Sequence, residues 1–161
     1  MDKGDHMKTL IMLSGIPASG KSTWAAKYQA THPNTFVISS DDVRVDVTGD
    51  YQDHSRQPEV WMEFSRRIHE FGQKEDVTVI LDALNDVDDV REKYVRENPE
   101  FDRYILAIFP FDKEKSIKLN DEREWPYKVP NDILLKLIEK YEEPSQEIKK
   151  LFDDIQYIKW N

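Results

Sequence analysis

Leu10-Ile11-Met12-Leu13-Ser14-Gly15-Ile16-Pro17-Ala18-Ser19-Gly20-Lys21-Ser22-Thr23-Trp24 is the stretch that decides the fold. The apolar run Leu10–Leu13 reads as a buried strand. It feeds Gly15–Ser22, which fits G-x-x-x-x-G-K-[ST], the phosphate-binding loop. Glycine permits the tight turn that aims successive backbone N–H groups at phosphate oxygens. Lys21 has the reach for the outer phosphates, and the Ser22 hydroxyl suits Mg²⁺. A helix opening near Lys21 turns its positive end toward the same anion. Gly15, Ala18, Ser19, Gly20, Lys21, Ser22 and Thr23 are therefore the expected nucleotide cradle. A plain glycine turn before an ordinary helix is the competing interpretation, and the strand–loop–helix context argues against it.

The chain has 161 residues, enough for one domain with a proper core. Its net charge of −9 and pI near 5.0 weigh against broad, non-specific nucleic-acid binding, which needs phosphate neutralisation. A small basic channel in an acidic surface remains compatible with those values. Cysteine is absent, which excludes disulfides, zinc ribbons and thiol chemistry and suits a reducing compartment. No 18-residue apolar span and no signal-peptide core occur, so no membrane association and a cytoplasmic location are expected. Residues 1–7 read as a leader and residues 8–161 as a single kinase-type domain.

Outward from the loop, strands and helices alternate. Lys8–Ser14, Thr35–Ser39, Val77–Leu81 and Tyr104–Phe111 read as buried strands, and Ile155–Trp160 as a further strand near an edge. Ser22–Thr31, a segment opening at Asp41, Glu59–Gln73, Asp88–Asn98, Lys113–Arg123, Asn131–Tyr141 and Ser145–Phe152 read as helices. Gly49–Pro58 and Glu124–Pro130 read as loops. This is an α/β pattern: a doubly wound parallel sheet of four to five strands, helices on both faces, and a helical lid at about 113–129. The charged tracts Asp86–Arg96 and Asp112–Glu124 are expected to be solvated helix faces.

Ligands in such sheets bind beyond the carboxyl ends of the strands. Asp41 and Arg44 follow the second strand at i,i+3 spacing, which puts them on one helix face. A carboxylate there accepts a hydrogen bond from an attacking hydroxyl, and the arginine offers a two-pronged grip on phosphate. Helix capping by Ser40 or Asp41 is the alternative. Asp42 turns to another side. Asp82, ending the third strand, is placed to meet Mg²⁺ through water or the substrate, with Asn85 nearby; capping of the next helix is again the alternative. Lys118, Arg123 and Lys128 form a basic segment able to close over phosphates. Asp121, Glu122 and Glu124 around them offer the plainer account of a salt-bridged surface helix. Asp86-Val87-Asp88-Asp89-Val90 mimics an aspartate-phosphatase motif, but Asp82 and not Asp86 follows the strand. His6, His32, His54 and His69 lack metal-ligand spacing.

Together, GIPASGKSTW, SSDDVR, VILDALN and NDEREWPYKVPNDIL resemble the 5′-hydroxyl polynucleotide kinases of the T-even phage type and the small P-loop kinases around them. The resemblance runs from about Lys8 to about Tyr141. It implies transfer of the ATP γ-phosphate, with Mg²⁺, to the 5′-hydroxyl of a DNA or RNA end. It also implies that Asp41 is the general base, Arg44 the grip on a 3′-phosphate, and Arg123 the lid residue on the nucleotide. Lys21 and Ser22 carry over to phosphate and metal, and Asp82 matches the acid after the third strand. Leu119 stands where the phage enzyme has a second lid arginine. Leu84 stands where many relatives have a hydroxyl. The chain ends before a 3′-phosphatase domain could begin, so a stand-alone kinase is the expectation. The alternative acceptors are small hydroxyl compounds such as a nucleoside, sugar or antibiotic, which the acidic pI favours. An ATP-dependent switch or partner-binding module is the non-enzyme alternative.

Overall fold

The computed structural model describes residues 7–160, so the rest of the expected leader, residues 1–6 with His6, lies outside the described residues. Strand β1 (Thr9–Ser14) is central in a five-stranded, all-parallel sheet. The others are β2 (Thr35–Ser39), β3 (Thr78–Asp82), β4 (Arg103–Ile108) and β5 (Asp154–Tyr157), in the order β2-β3-β1-β4-β5. Ile11 of β1 lies opposite Ile80 of β3 and Ile105 of β4. Period-two alternation sends Leu10 and Met12 to one face and Ile11 and Leu13 to the other. Both faces are buried, which is why the run is uniformly apolar.

The first face packs against α3 (Gln57–Phe71) through Val60, Phe64 and Ile68, and against Tyr94 of α4 (Asp88–Arg96) and Ile148 of α7 (Gln146–Lys149). The second face is covered by α1 (Lys21–Thr31), with Ala25 innermost and Trp24 and Tyr28 half-buried beside it. A smaller cluster joins Ile16 to Leu134, Ile138 and Tyr141 beneath α6 (Asn131–Lys140). Each fully buried Leu, Ile or Phe in these layers contributes about 1.5–3 kcal/mol.

Local differences from expectation have local causes. Helix α3 starts at Gln57, ahead of the expected Glu59, with Pro58 in its first turn, where a missing N–H costs nothing. Strand β4 stops at Ile108 and not at Phe111, because Pro110 offers no donor to the ladder. Helix α5 (Lys113–Asp121) stops two residues short, which moves Arg123 from the expected helix into the loop behind it. The tract Asp86–Arg96 is not simply a solvated face. Arg91 is fully buried, its guanidinium donating to Asn85 O and Ser14 Oγ from other segments. Ser116 and Asn120 of α5 are likewise buried.

The strand order reverses at β1. It opens the crevice at the carboxyl ends of β1, β2 and β3, above which α2 (Ser40–Thr48) and the segment after α5 project.

Candidate active site

Gly15–Ser22 folds as the motif requires. Gly20 has φ +97° and Ala18 has φ 58°, both left-handed. A side-chain carbon on Gly15 would lie 2.8 Å from both Phe109 Cβ and Ser19 Oγ, so only glycine fits. Gly20 caps α1 without any side-chain hydrogen bond, and the first turn contains no acid. The amide donors opening α1 thus keep an anion site available.

Lys21 is buried at the base of this loop. Its Nζ donates to Gly15 O (3.0 Å), Ile16 O (2.7 Å) and Ser19 Oγ (3.3 Å). Burial lowers its pKa to about 8, against the attraction of Asp82 and Asp41 and with the help of Arg123. Ser22 Oγ donates to Asp82 Oδ2 at 2.8 Å. Burial raises the Asp82 pKa, while the Ser22 bond and Lys21 oppose that shift. Helix α4 is capped at Val87 with no side-chain bond, so neither Asp82 nor Asn85 is spent on capping. Ser22 Oγ and Asp82 set two hard oxygen donors side by side, the ligand type that suits Mg²⁺. Among the described residues no cluster of three His, Cys, Asp or Glu forms a metal site.

The cap of α2 is Ser39, whose Oγ accepts from Asp42 N at 3.4 Å. Neither Ser40 nor Asp41 is needed for it. Asp41 instead accepts Arg44 Nη1 on Oδ1 (2.7 Å) and the Tyr51 hydroxyl on Oδ2 (3.1 Å). Arg44 is only 6% exposed, and its Nε is buried without a partner. Asp42 turns away, as its position on the helix dictates, to line a neighbouring cavity with Asp46 and Arg67.

Arg123 lies on the exposed loop after α5, where it makes no ion pair among the described residues; its charge acts on Lys21 and Tyr51. Lys128 pairs with Asp121 at 3.7 Å, so the plainer surface account holds for that lysine. The segment is tethered at three points. Ser116 Oγ donates to Pro17 O in the phosphate loop; Asn120 bonds Val129 from both ends of its amide; Gln52 Nε2 donates to Pro126 O and Lys128 O.

Asn85 sits behind the phosphate loop with φ 42°. Its Nδ2 donates to Leu13 O at 2.6 Å and its buried Oδ1 has no partner. Its carbonyl accepts from Ser14 Oγ and Arg91 Nε, both at 2.8 Å. Lys21, Asp41, Asp82 and Arg123 therefore share one electrostatic neighbourhood, while Asn85 braces it from below.

Three participants were not evident in the sequence. Tyr51 and Gln52 fall in the turn-rich Gly49–Pro58 stretch, which no periodicity marks. Burial and Asp41 push the Tyr51 hydroxyl well above its usual value. His54, in the same stretch, is held below its usual value by burial and by Arg44.

The family profile described as chromatin associated protein KTI12 matches residues 8–150. A chain from a Pnkp1/Rnl/Hen1 complex is 26% identical over 70% of this chain, with a TM-score of 0.61; this chain spans 39% of that one. Kti12 from Chaetomium thermophilum, solved with ADP-AlF3, superposes over 94% of this chain and 89% of its own, with 18% identity and a TM-score of 0.71. A fungal RNA kinase superposes over 96% of this chain and 75% of its own, with 14% identity and a TM-score of 0.64. The fold is that of the P-loop kinases. Among the described residues no helix is long and apolar enough to cross a membrane.

Proposed function

The chain belongs to the KTI12 family, and from that premise we propose that it is an ATP-dependent phosphotransferase that moves the γ-phosphate to the 5′-hydroxyl of a nucleic-acid end. The observation that carries this reading is Asp41 held between Arg44 and Tyr51, within electrostatic reach of Lys21 and Asp82. A hydroxyl acceptor and an anionic acceptor group are thereby offered partners on one side of the phosphate loop. The resemblance to the phage-type kinases and the likeness to a Pnkp1-containing complex support the choice of acceptor.

In this reading the Gly15–Ser22 amides and Lys21 hold the phosphates of ATP. Lys21 leaves the loop carbonyls for phosphate oxygen, which satisfies its buried charge. Ser22, with Asp82 through water, would hold Mg²⁺, which supplies neutralisation of phosphate charge. Asp41 accepts the proton of the 5′-hydroxyl and orients its oxygen toward the γ-phosphorus. The new O–P bond forms as the bond to the β-phosphate oxygen breaks, and the electron pair leaves with ADP. Because the transition state is loose, orientation matters more than early proton removal. Arg44 holds the phosphate on the acceptor's 3′ side, and Arg123 follows the γ-phosphate from the lid.

Incubation with ATP and Mg²⁺ and three acceptors tests this. A 5′-hydroxyl oligonucleotide and a 3′-nucleoside monophosphate are expected to be labelled, and Asp41→Asn is expected to abolish labelling while ATP binding persists. No label on either acceptor, with ATP still bound, overturns the reading. Label on a plain nucleoside alone favours a small-molecule acceptor, the reading that the net charge of −9 supports.

A further inference from the structure

Beside Asp41 lies a cavity of about 620 Å³ between β2, α2, α3 and the loop after α5. Its size is that of a small-ligand site. Tyr51 links it to the reacting centre: the residue lines the cavity while its hydroxyl donates to Asp41 Oδ2. Tyr127 lines it beside Tyr51, 57% exposed, the two rings meeting edge to face with centroids 5.0 Å apart.

The charge in this cavity argues against a phosphate guest. Arg66 and Arg67 line it, but both are committed: Arg66 to Glu63 and Glu70, Arg67 to Glu63 and Asp46. Asp46 and Glu70 are the partners of those arginines on the same wall, and Asp42 adds a carboxylate with no ion pair among the described residues. What the cavity offers is aromatic surface together with the Asp42 carboxylate and Ser39. A flat, uncharged heterocycle with amino groups matches that lining; a phosphate does not. The anion grip lies outside the cavity wall, at Arg44 with its unpartnered Nε.

We propose that this cavity holds the 5′-terminal nucleobase of the acceptor, stacked on Tyr127 and edged by Tyr51, while Asp41 meets the adjoining hydroxyl. This rests on the phosphotransferase reading above. Tyr127 stands on the loop that also carries Arg123, and Gln52 ties that loop to the Tyr51 segment. Base and nucleotide would thus be sensed by one piece of chain.

The test compares two 5′-hydroxyl oligonucleotides of the same sequence and phosphate pattern, one with its terminal base and one abasic at that residue. Stacking on an aromatic side chain is worth roughly tenfold in affinity. The expected ratio of KM, abasic over normal, is therefore about ten for the wild type, near one for Tyr127→Ala, and about ten again for Tyr127→Phe. Equal KM for both acceptors in the wild type, or an unchanged ratio in Tyr127→Ala, overturns the base pocket while leaving the phosphotransferase reading intact. Phosphorylation of neither oligonucleotide overturns both.

Discussion

Arg91 reaches Ser14 Oγ with two of its nitrogens, Nε at 3.3 Å and Nη2 at 3.1 Å, across 77 residues of chain. Ser14 is the last residue of β1 and the one before Gly15. The same guanidinium bonds Asn85 O and Glu142 O, and it faces the Tyr141 ring at 5.5 Å. It also pairs with Asp88 at 2.8 Å. A fully buried arginine thus joins the start of the phosphate loop to the segment carrying Asn85 and to the end of α6. Arg91→Met removes every one of these bonds, leaving Asn85 O with the Ser14 hydroxyl alone and Asp88 without its cation. We expect a loss of about 3 kcal/mol in urea unfolding, the scale found when one partner of a buried pair is removed. For a chain of this size that lowers Tm by roughly 6–12 °C. A loss below about 1 kcal/mol would show that water replaces the guanidinium.

Asn120 is fully buried and closes a ring with Val129: its Nδ2 donates to Val129 O at 2.7 Å and its Oδ1 accepts Val129 N at 3.0 Å. The eight residues between them include Arg123 and Tyr127. Asn120→Ala should cost about 1–2 kcal/mol for the two backbone groups left unpaired. It should also raise KM for ATP and for the acceptor together, because both Arg123 and Tyr127 lose their tether. Asn120→Asp keeps the acceptor half of the ring and should fall between. Steady-state kinetics with each substrate varied in turn checks this; a change confined to stability would reduce Asn120 to a packing role.

The phosphate loop and the strand ends were legible because each is a local pattern: apolar runs bounded by glycine, proline or aspartate, and eight residues of motif. Asp41 and Asp82 follow strand ends, whose positions come from the strand boundaries, whereas Arg123, expected on a helix, lies in the loop behind it. A one-residue offset was not legible. Ser39, Ser40 and Asp41 are all good caps, and only the final backbone geometry selects Ser39 and releases Asp41 to Arg44 and Tyr51. Arg91 looked like its neighbours Asp88, Glu92 and Lys93, since its burial depends on carbonyls from distant segments. Tyr51 and Tyr127, 76 positions apart, share a cavity through turns that carry no period. Membership of the KTI12 family was likewise reached by comparison and not by the residues that resemble the phage-type kinases.

Arg44 is held by Asp41 on Nη1 while its Nε faces no acceptor. In the proposed reaction a phosphate on the 3′ side of the acceptor would supply one, once the buried Nε turns outward to meet it. Charge-assisted hydrogen bonds are worth about 1.5–3 kcal/mol, or roughly ten- to 150-fold. Arg44→Ala should raise KM by that factor for a 3′-phosphorylated acceptor and by much less for one lacking the phosphate. Equal losses on both acceptors would mean that Arg44 serves only to hold Asp41.

Lys21 has its pKa lowered from 10.5 to about 8 by burial. Between those two values the unfolded chain holds the proton and the folded chain does not, so stability contributed by this group rises with pH across that window. Below pH 8 the folded chain carries a buried ammonium at a cost on the order of 3 kcal/mol. Phosphate oxygens reverse the balance, since an anion beside Nζ favours the charged form and raises its pKa. ATP binding near pH 8 should therefore take up a fraction of a proton, and affinity should fall as pH rises above 8, by at most tenfold per unit. Calorimetry at pH 8 in buffers of different ionisation enthalpy measures the uptake directly. A binding enthalpy independent of buffer would place the triphosphate away from Lys21 and remove the loop from the assigned role. A rise in affinity above pH 8 would require that the nucleotide meets the neutral amine, which the three hydrogen bonds now donated by Nζ to Gly15, Ile16 and Ser19 argue against.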